Sequence, residues 1–180
     1  YEQSKLEAHL LVMGADDLNP VLPMPGVIVG PHGPLDRVMT RLARNRLPLI
    51  PGGDGPTGVV HVKDVAEGIC LAAEKGKGPY LLVEENLRME ELLGGLAKTW
   101  GCRLPKGRIG MGPLMAAATV TQAAFNLVGK APPLSREHVV SLRASMRYTS
   151  EKAKRELGWQ PRMWEHFREE RAFYTGTTTA

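Results

Sequence analysis

From Asn19 to Trp100, short β-prone runs alternate with helical segments, and that alternation confines the chain to an α/β design with mostly parallel strands. The apolar run Asn19 to Val29 is broken by prolines, which predicts a short strand ending near Met24 and then a loop through Gly30, Pro31 and Gly33. A basic amphipathic helix is expected over Leu35 to Arg46. Pro51 to Gly58, with four glycines and two prolines in eight residues, reads as a loop. A strand Val59 to Val62, a helix Asp64 to Lys75, a strand Tyr80 to Val83 and a helix Met89 to Trp100 closed by Gly101 complete the alternation.

Before this stretch, Leu6, Leu10 and Met13 recur at helical spacing and predict a helix from Tyr1 to about Gly14. Beyond Pro105 the chain turns helical. Ser135 and Ser150 each stand at the head of a helical pattern as N-cap candidates, Gly158 closes the second pattern, and a last helix is expected from about Trp164 to Tyr174. Thr177 to Thr179 reads as a frayed tail, and no internal repeat is visible.

With 43% hydrophobic residues in 180, the chain can bury a core, and 23% charged residues exclude a disordered tail. Net charge is +4, but the basic and acidic residues are interspersed, as in Arg168, Glu169, Glu170 and Arg171, which argues against a nucleic-acid partner. Cys70 and Cys102 lie 32 positions apart, so they form neither a metal-type pair nor a disulfide framework. A reducing, cytoplasmic location and two buried thiols are the expectation. No metal site is expected. Ile109 to Gly129 has no charged residue and is long enough to cross a bilayer, but Gly110, Gly112, Pro113, Thr119, Thr121, Gln122 and Asn126 interrupt it. A buried or partner-facing helix is expected there, with no membrane span. The chain opens on Tyr1 without a basic, then apolar, leader, so no export signal is readable and an upstream portion is expected to be missing.

Tyr1 and Lys5 are four apart on the predicted first helix, which puts a phenol within reach of an ammonium. A nearby cation stabilises the phenolate, so such a tyrosine can act as a general acid or base. That spacing is common by chance, and alone it favours a structural reading. The residues that follow supply context: Pro25-Gly26-Val27-Ile28-Val29-Gly30-Pro31, then Val60-His61-Val62-Lys63-Asp64-Val65-Ala66-Glu67-Gly68, then Ser150-Glu151-Lys152-Ala153-Lys154-Arg155-Glu156-Leu157-Gly158-Trp159-Gln160-Pro161. In this order, over nearly the whole chain up to about Tyr174, the sequence resembles the C-terminal part of the extended short-chain dehydrogenase/reductases, the NAD-dependent epimerase/dehydratase family.

The resemblance implies the C-terminal portion of a Rossmann-type doubly wound parallel sheet plus a small, mostly helical substrate-binding region. Residues 1–78 would carry the end of the NAD(P)-binding domain and the catalytic helix, with 25–62 partly on the substrate side. Residues 79–174 would form the substrate-binding lid region with interleaved strands, and 175–180 a disordered tail. It also implies Tyr1 as catalytic tyrosine and Lys5 as the lysine that lowers its pKa and holds the nicotinamide ribose of NAD or NADP. Pro25, Gly26 and the backbone at Ile28 would meet the nicotinamide. The family's helix-bundle homodimers use the helix that would carry Tyr1, so the full-length protein is a candidate for that assembly.

Several residues have plainer readings. Asp64 is expected to cap the helix that follows it, and His61 to be a packed strand residue. Gly158 and Pro161 read as helix punctuation. Arg37, Arg41, Arg44 and Arg46 read as a solvated face. Met111, Met115 and Phe125 read as core rather than as an apolar substrate lid, although a lid suits the resemblance.

The chain also departs from the family pattern. No Gly-x-x-Gly-x-x-Gly opens a helix, Gly52-Gly53-Asp54-Gly55 being in the wrong setting, and the serine or threonine expected before the tyrosine is absent. The resemblance therefore implies an inactive half of an enzyme. Pro56-Thr57-Gly58 stands where members acting on nucleotide sugars commonly carry an arginine, so the dihydroflavonol-reductase-like branch is the nearer one. The expected activity is NAD(P)-dependent reduction of a carbonyl in a small organic substrate. An NAD-dependent nucleotide-sugar epimerase or dehydratase, and a non-catalytic NAD(P)-binding or regulatory relative, are the alternatives.

Overall fold

The structure, a computed structural model, describes residues 2–15, 18–52, 55–127, 129, 132, 139 and 147–176. Helix α1 (Glu2–Met13) precedes strands β1 (Val21–Pro25) and β2 (Val27–Val29), helix α2 (Asp36–Ala43), and strands β3 (Ile50–Pro51) and β4 (Thr57–His61). Helix α3 (Val62–Lys75), strands β5 (Gly78–Leu82) and β6 (Glu85–Leu87), helix α4 (Met89–Trp100), strand β7 (Arg108–Ile109) and helix α5 (Met111–Leu127) follow. A π-helical turn (Ala153–Leu157) and helices α6 (Met163–Glu169) and α7 (Arg171–Thr175) end the described chain.

Among the described residues the pairing is parallel in three of the four ladders. β1 runs with β5 in the register Val21 opposite Gly78 to Pro25 opposite Leu82. β2 runs with β4, and β3 with β7, while β6 joins β4 antiparallel. Val27 to Val29, expected as loop, is a strand. At Gly26 a Cβ would lie 2.4 Å from the Gly58 carbonyl oxygen, so only glycine lets the chain step from the β1–β5 pair onto β4. β3, β6 and β7 are two or three residues long, too short to leave a periodic signal.

Among the described residues three clusters hold the core. The largest joins α2, α4, α6 and α7 around Trp100, Phe167 and Tyr174, with the Trp100 indole donating to the Phe167 carbonyl at 2.6 Å. A second packs α3 and the π turn against the strands through Val60, Tyr80, Leu82, Leu157 and Trp159. The third sets Leu114 and Ala118 of α5 against Val139, with Met111 and Met115 packed on it, as core residues would be. Among the described residues no helix is long and apolar enough to cross a membrane.

Five further expectations need correction. Cys70 is exposed and Cys102 half-buried, because α3 buries Val65, Gly68 and Ala72 on one face and Cys70 falls on the other. α3 starts at Val62, so its cap is His61 rather than Asp64: the His61 Nδ1 accepts the Lys63 N–H at 3.2 Å. Ser150 does not cap a helix; its Oγ accepts the Val83 N–H at 2.9 Å and donates to the Val83 carbonyl at 2.5 Å. The last helix is two helices, broken at Glu170, whose carboxylate turns inward to His61 and Lys63, each at 3.0 Å. The strand expected to include Val62 ends at His61. Gly158 does close its turn, in the left-handed conformation at φ 68°. Arg37, Arg41, Arg44 and Arg46 are exposed, as a solvated face requires. Ser135 and the Thr177–Thr179 tail lie outside the described residues.

Gly68 provides a test of this packing. Alanine is the better helix former, yet a Cβ here would sit 2.8 Å from Leu82 Cδ1 and 3.2 Å from the Trp159 Nε1. Overpacking of this kind costs about 1–3 kcal/mol. Gly68→Ala is expected to lower the thermal midpoint; an unchanged or raised midpoint in a melting experiment would overturn the packing argument.

Candidate functional site

Parallel strands β1 and β5 end side by side, and a cleft of about 380 Å³ opens there. Its walls include Met24, Pro25 and Gly26 at the end of β1, Leu81 and Val83 at the end of β5, Thr57 and Gly58 at the start of β4, and Tyr148. Ligands of open α/β sheets bind at the carboxyl ends of strands, and this volume falls within the range of small-molecule pockets. Among the described residues the lining carries no charged side chain.

Residues distant in sequence build the far wall. Asn86 of β6 clamps the Tyr148 backbone in both directions: its Nδ2 donates to the Tyr148 carbonyl and its Oδ1 accepts the Tyr148 N–H, each at 2.8 Å. The Ser150 hydroxyl ties the same segment to Val83. A Cβ at Gly58 would lie 2.9 Å from Tyr148 Cδ2, so the bare glycine is what lets the ring rest on β4.

The predicted site residues divide. Pro25 and Gly26 line the cleft. Ile28 packs its side chain against the second core cluster, while its backbone sits in the β2–β4 ladder opposite Val60. Lys5 is exposed on α1 and is not among the lining residues. Tyr1 lies outside the described residues. Gly58 and Tyr148 were missed: Tyr148 reaches the cleft only through tertiary contacts, and Gly58 sits in a stretch that reads as loop.

A second polar constellation sits behind β4. His61 and Asp64 are fully buried, and the His61 and His166 rings lie 4.7 Å apart. Asp64 Oδ1 accepts the Arg162 N–H at 3.1 Å and faces His166 Nε2 at 3.0 Å, while the Trp159 indole donates to the Asp64 carbonyl at 2.9 Å. His61, Asp64 and His166 offer three donor atoms within 4.8 Å of one another, the grouping a metal ion would use. The tautomer of His61 works against that use. A backbone N–H can only donate, so Nδ1 accepts from Lys63 and the neutral ring carries its proton on Nε2, facing Glu170 at 3.0 Å. The arrangement is a hydrogen-bonded latch between the β4–α3 junction and the C-terminal helices.

No family model matches the chain. It is similar to the 4-hydroxy-2-methyl-3-oxo-4-farnesyl-3,4-dihydroquinoline-1-oxide ketoreductase of Stigmatella aurantiaca, at 29% identity over 91% of this chain and 52% of that protein. The crystal structure of gox2253 superposes with a TM-score of 0.67 at 26% identity, covering 97% of this chain and 54% of that one. The UDP-glucose 4-epimerase of Bifidobacterium longum, in complex with NAD+ and UDP, superposes with a TM-score of 0.63 at 17% identity, covering 99% and 55%. The fold is that of the C-terminal portion of the epimerase/dehydratase-type short-chain dehydrogenase/reductases. The chain spans about half the length of the curated relative and of the solved structures that it matches.

Two groups in the latch region titrate away from their usual ranges, with opposite consequences. Burial, reinforced by the nearby Asp64 and Glu85 charges and opposed by the Met163 N–H, pushes the Glu84 carboxyl up to about 7. The folded chain therefore keeps a proton that the unfolded chain releases near 4.5, and this contribution to stability falls as pH rises across that window. Burial lowers His61 from 6.5 despite the opposing pull of Glu170; its contribution is present above pH 6.5 and is lost as pH falls through the lowered value. Glu84→Gln keeps an acceptor for the Met163 N–H and removes the first effect. Relative to wild type, this variant is expected to gain on the order of 1–2 kcal/mol as pH is raised from about 5 to 8, with solvent screening of a half-buried group allowed for. Urea unfolding at both pH values checks it, and a difference that does not change with pH would refute the assignment.

Proposed function

We propose that this chain is the substrate-side half of an NAD(P)-dependent oxidoreductase that reduces a carbonyl in a small organic substrate. The observation that carries the reading is the uncharged cleft at the paired carboxyl ends of β1 and β5, with Pro25 and Gly26 on its rim. The similarity to a ketoreductase supports the reaction class. Pro56 and Thr57, at the start of β4, put no cationic fork where a pyrophosphate would need one, which supports the dihydroflavonol-reductase-like branch over nucleotide-sugar chemistry.

The cleft fits the nicotinamide end of the coenzyme in size and polarity. Pro25, Gly26 and the backbone near Ile28 would hold that end, and the coenzyme when bound supplies hydride transfer. The chain's own contribution is positioning and proton movement. Tyr1 would carry a proton at its hydroxyl to or from the substrate oxygen, and the Lys5 ammonium would lower that hydroxyl's pKa. Helix α5, with Val120 exposed and Phe125 half-buried, would cover the substrate as an apolar lid. The dinucleotide half, the carbonyl-polarising serine or threonine and a homodimer surface would be supplied by the full-length enzyme, and this half alone would be inactive.

The test uses the chain joined to the coding sequence that precedes it, with ketone-dependent oxidation of NADH and NADPH as readout. Tyr1→Phe is expected to lower kcat by about 10²–10⁴ with KM little changed, and Lys5→Ala to act in the same direction. Undiminished turnover in Tyr1→Phe would sink the assignment. Interconversion of a nucleotide sugar on tightly retained NAD, without added coenzyme, would instead establish the epimerase reading.

A further inference from the structure

Among the described residues Tyr148 is the one aromatic on the cleft wall, and it is built in rather than incidental. Its backbone is held at both ends by Asn86, the next segment is pinned to Val83 by Ser150, and its ring rests on a strand position where any side chain would collide with it. The other described lining residues are apolar side chains (Met24 among them), glycine or threonine, so among the described residues no charged side chain in the wall separates a cationic ligand from a neutral one. The face of an aromatic ring is electronegative and attracts a cation placed over it, more strongly where water is excluded.

We propose that Tyr148 is a specificity-determining residue of the cleft, which recognises a planar cationic ring by a cation–π contact. The inference rests on the reading of the cleft as the nicotinamide site, and it names what that reading leaves open. The oxidised ring is a pyridinium cation and the reduced ring is neutral, so a tyrosine wall holds the oxidised form more tightly. Tighter holding of the oxidised coenzyme shifts the bound equilibrium toward the reduced substrate, the direction that carbonyl reduction requires.

Two probes of nearly the same shape separate charge from fit: 1-methylnicotinamide, a cation, and 3-methylbenzamide, its neutral counterpart. Both are titrated into the 180-residue chain while the amide resonances of Gly26, Gly58, Asn86 and Tyr148 are followed by NMR. The cation is expected to bind about 3- to 30-fold more tightly than the neutral probe, the range a cation–π contact spans between exposed and desolvated settings. Tyr148→Phe retains an aromatic face and is expected to keep the ratio. Tyr148→Leu is expected to bring it to about one while Gly26 and Gly58 still respond to both probes. Because the Asn86 clamp grips the backbone of residue 148, an unshifted Asn86 resonance shows that the leucine variant keeps its wall. Equal affinities in the wild type, or a ratio unchanged by Tyr148→Leu, overturn the role of Tyr148 and leave the cleft reading standing. Silence at Gly26 and Gly58 with both probes overturns the cleft reading, and the inference with it.

Discussion

Asp64 has no solvent exposure, and burial of a carboxylate is costly unless other groups answer it; here Oδ1 is answered while Oδ2 meets no hydrogen-bond partner among the described residues. Its partners come from nearly a hundred residues later: the Arg162 N–H, the His166 ring and, through its own carbonyl, the Trp159 indole. Glu84 and Glu85 do the same for the neighbouring groups, receiving the Met163 N–H and the Trp164 indole. Acidic side chains thus gather the unpaired donors at the start of α6, where the helix dipole also favours negative charge. Folding α6 and α7 back over the β4–α3 junction is what brings partners to buried Asp64 and to half-buried Glu84 and Glu85.

The same short segment organises the cleft. Residues 83 to 86 hold Ser150 and Tyr148 on one side and α6 on the other, so the cleft wall and the C-terminal helices share one anchor. A change in α6 that loosened Glu84 or Glu85 would be felt at Tyr148 through two or three residues of extended backbone. His61 links the latch to β4, the strand whose Thr57 and Gly58 floor the cleft. Site geometry and tertiary closure here are one hydrogen-bond system rather than two.

The alternation of strand and helix was legible because β1, β4, β5, α3 and α4 each carry a local pattern: β-prone runs, amphipathic spacing, and Gly101 in the left-handed conformation at the end of α4. Pro25 and Gly26 were legible as motif residues, and both line the cleft. What stayed hidden was set by tertiary partners. Ser150 looks like a cap, but a buried Val83 backbone competes for its hydroxyl. Asp64 looks like a cap, but His61 already occupies that role. The break at Glu170 has no glycine or proline to announce it, because it arises from a side chain drawn inward to His61 and Lys63. Tyr148 gave no local signal, since a single tyrosine acquires meaning only from the bare Gly58 beneath it.

Rigidity is unevenly shared between the two parts of the proposed site. The cleft is lined by strands β1, β4 and β5, whose Val21, Val59, Val60, Tyr80 and Leu82 enter the core clusters, whereas none of the three clusters draws on α1, whose Leu6, Leu10 and Leu11 are exposed. Lys5 rides on that helix. General acid–base chemistry needs its groups held within hydrogen-bond reach of the reacting atom, a constraint of a few tenths of an ångström. In the proposed site, a surface covering the leucines of α1 would therefore be the condition for Lys5 to be positioned against a ring held between Gly26 and Tyr148. The described core has already built the half of the geometry that does not depend on it.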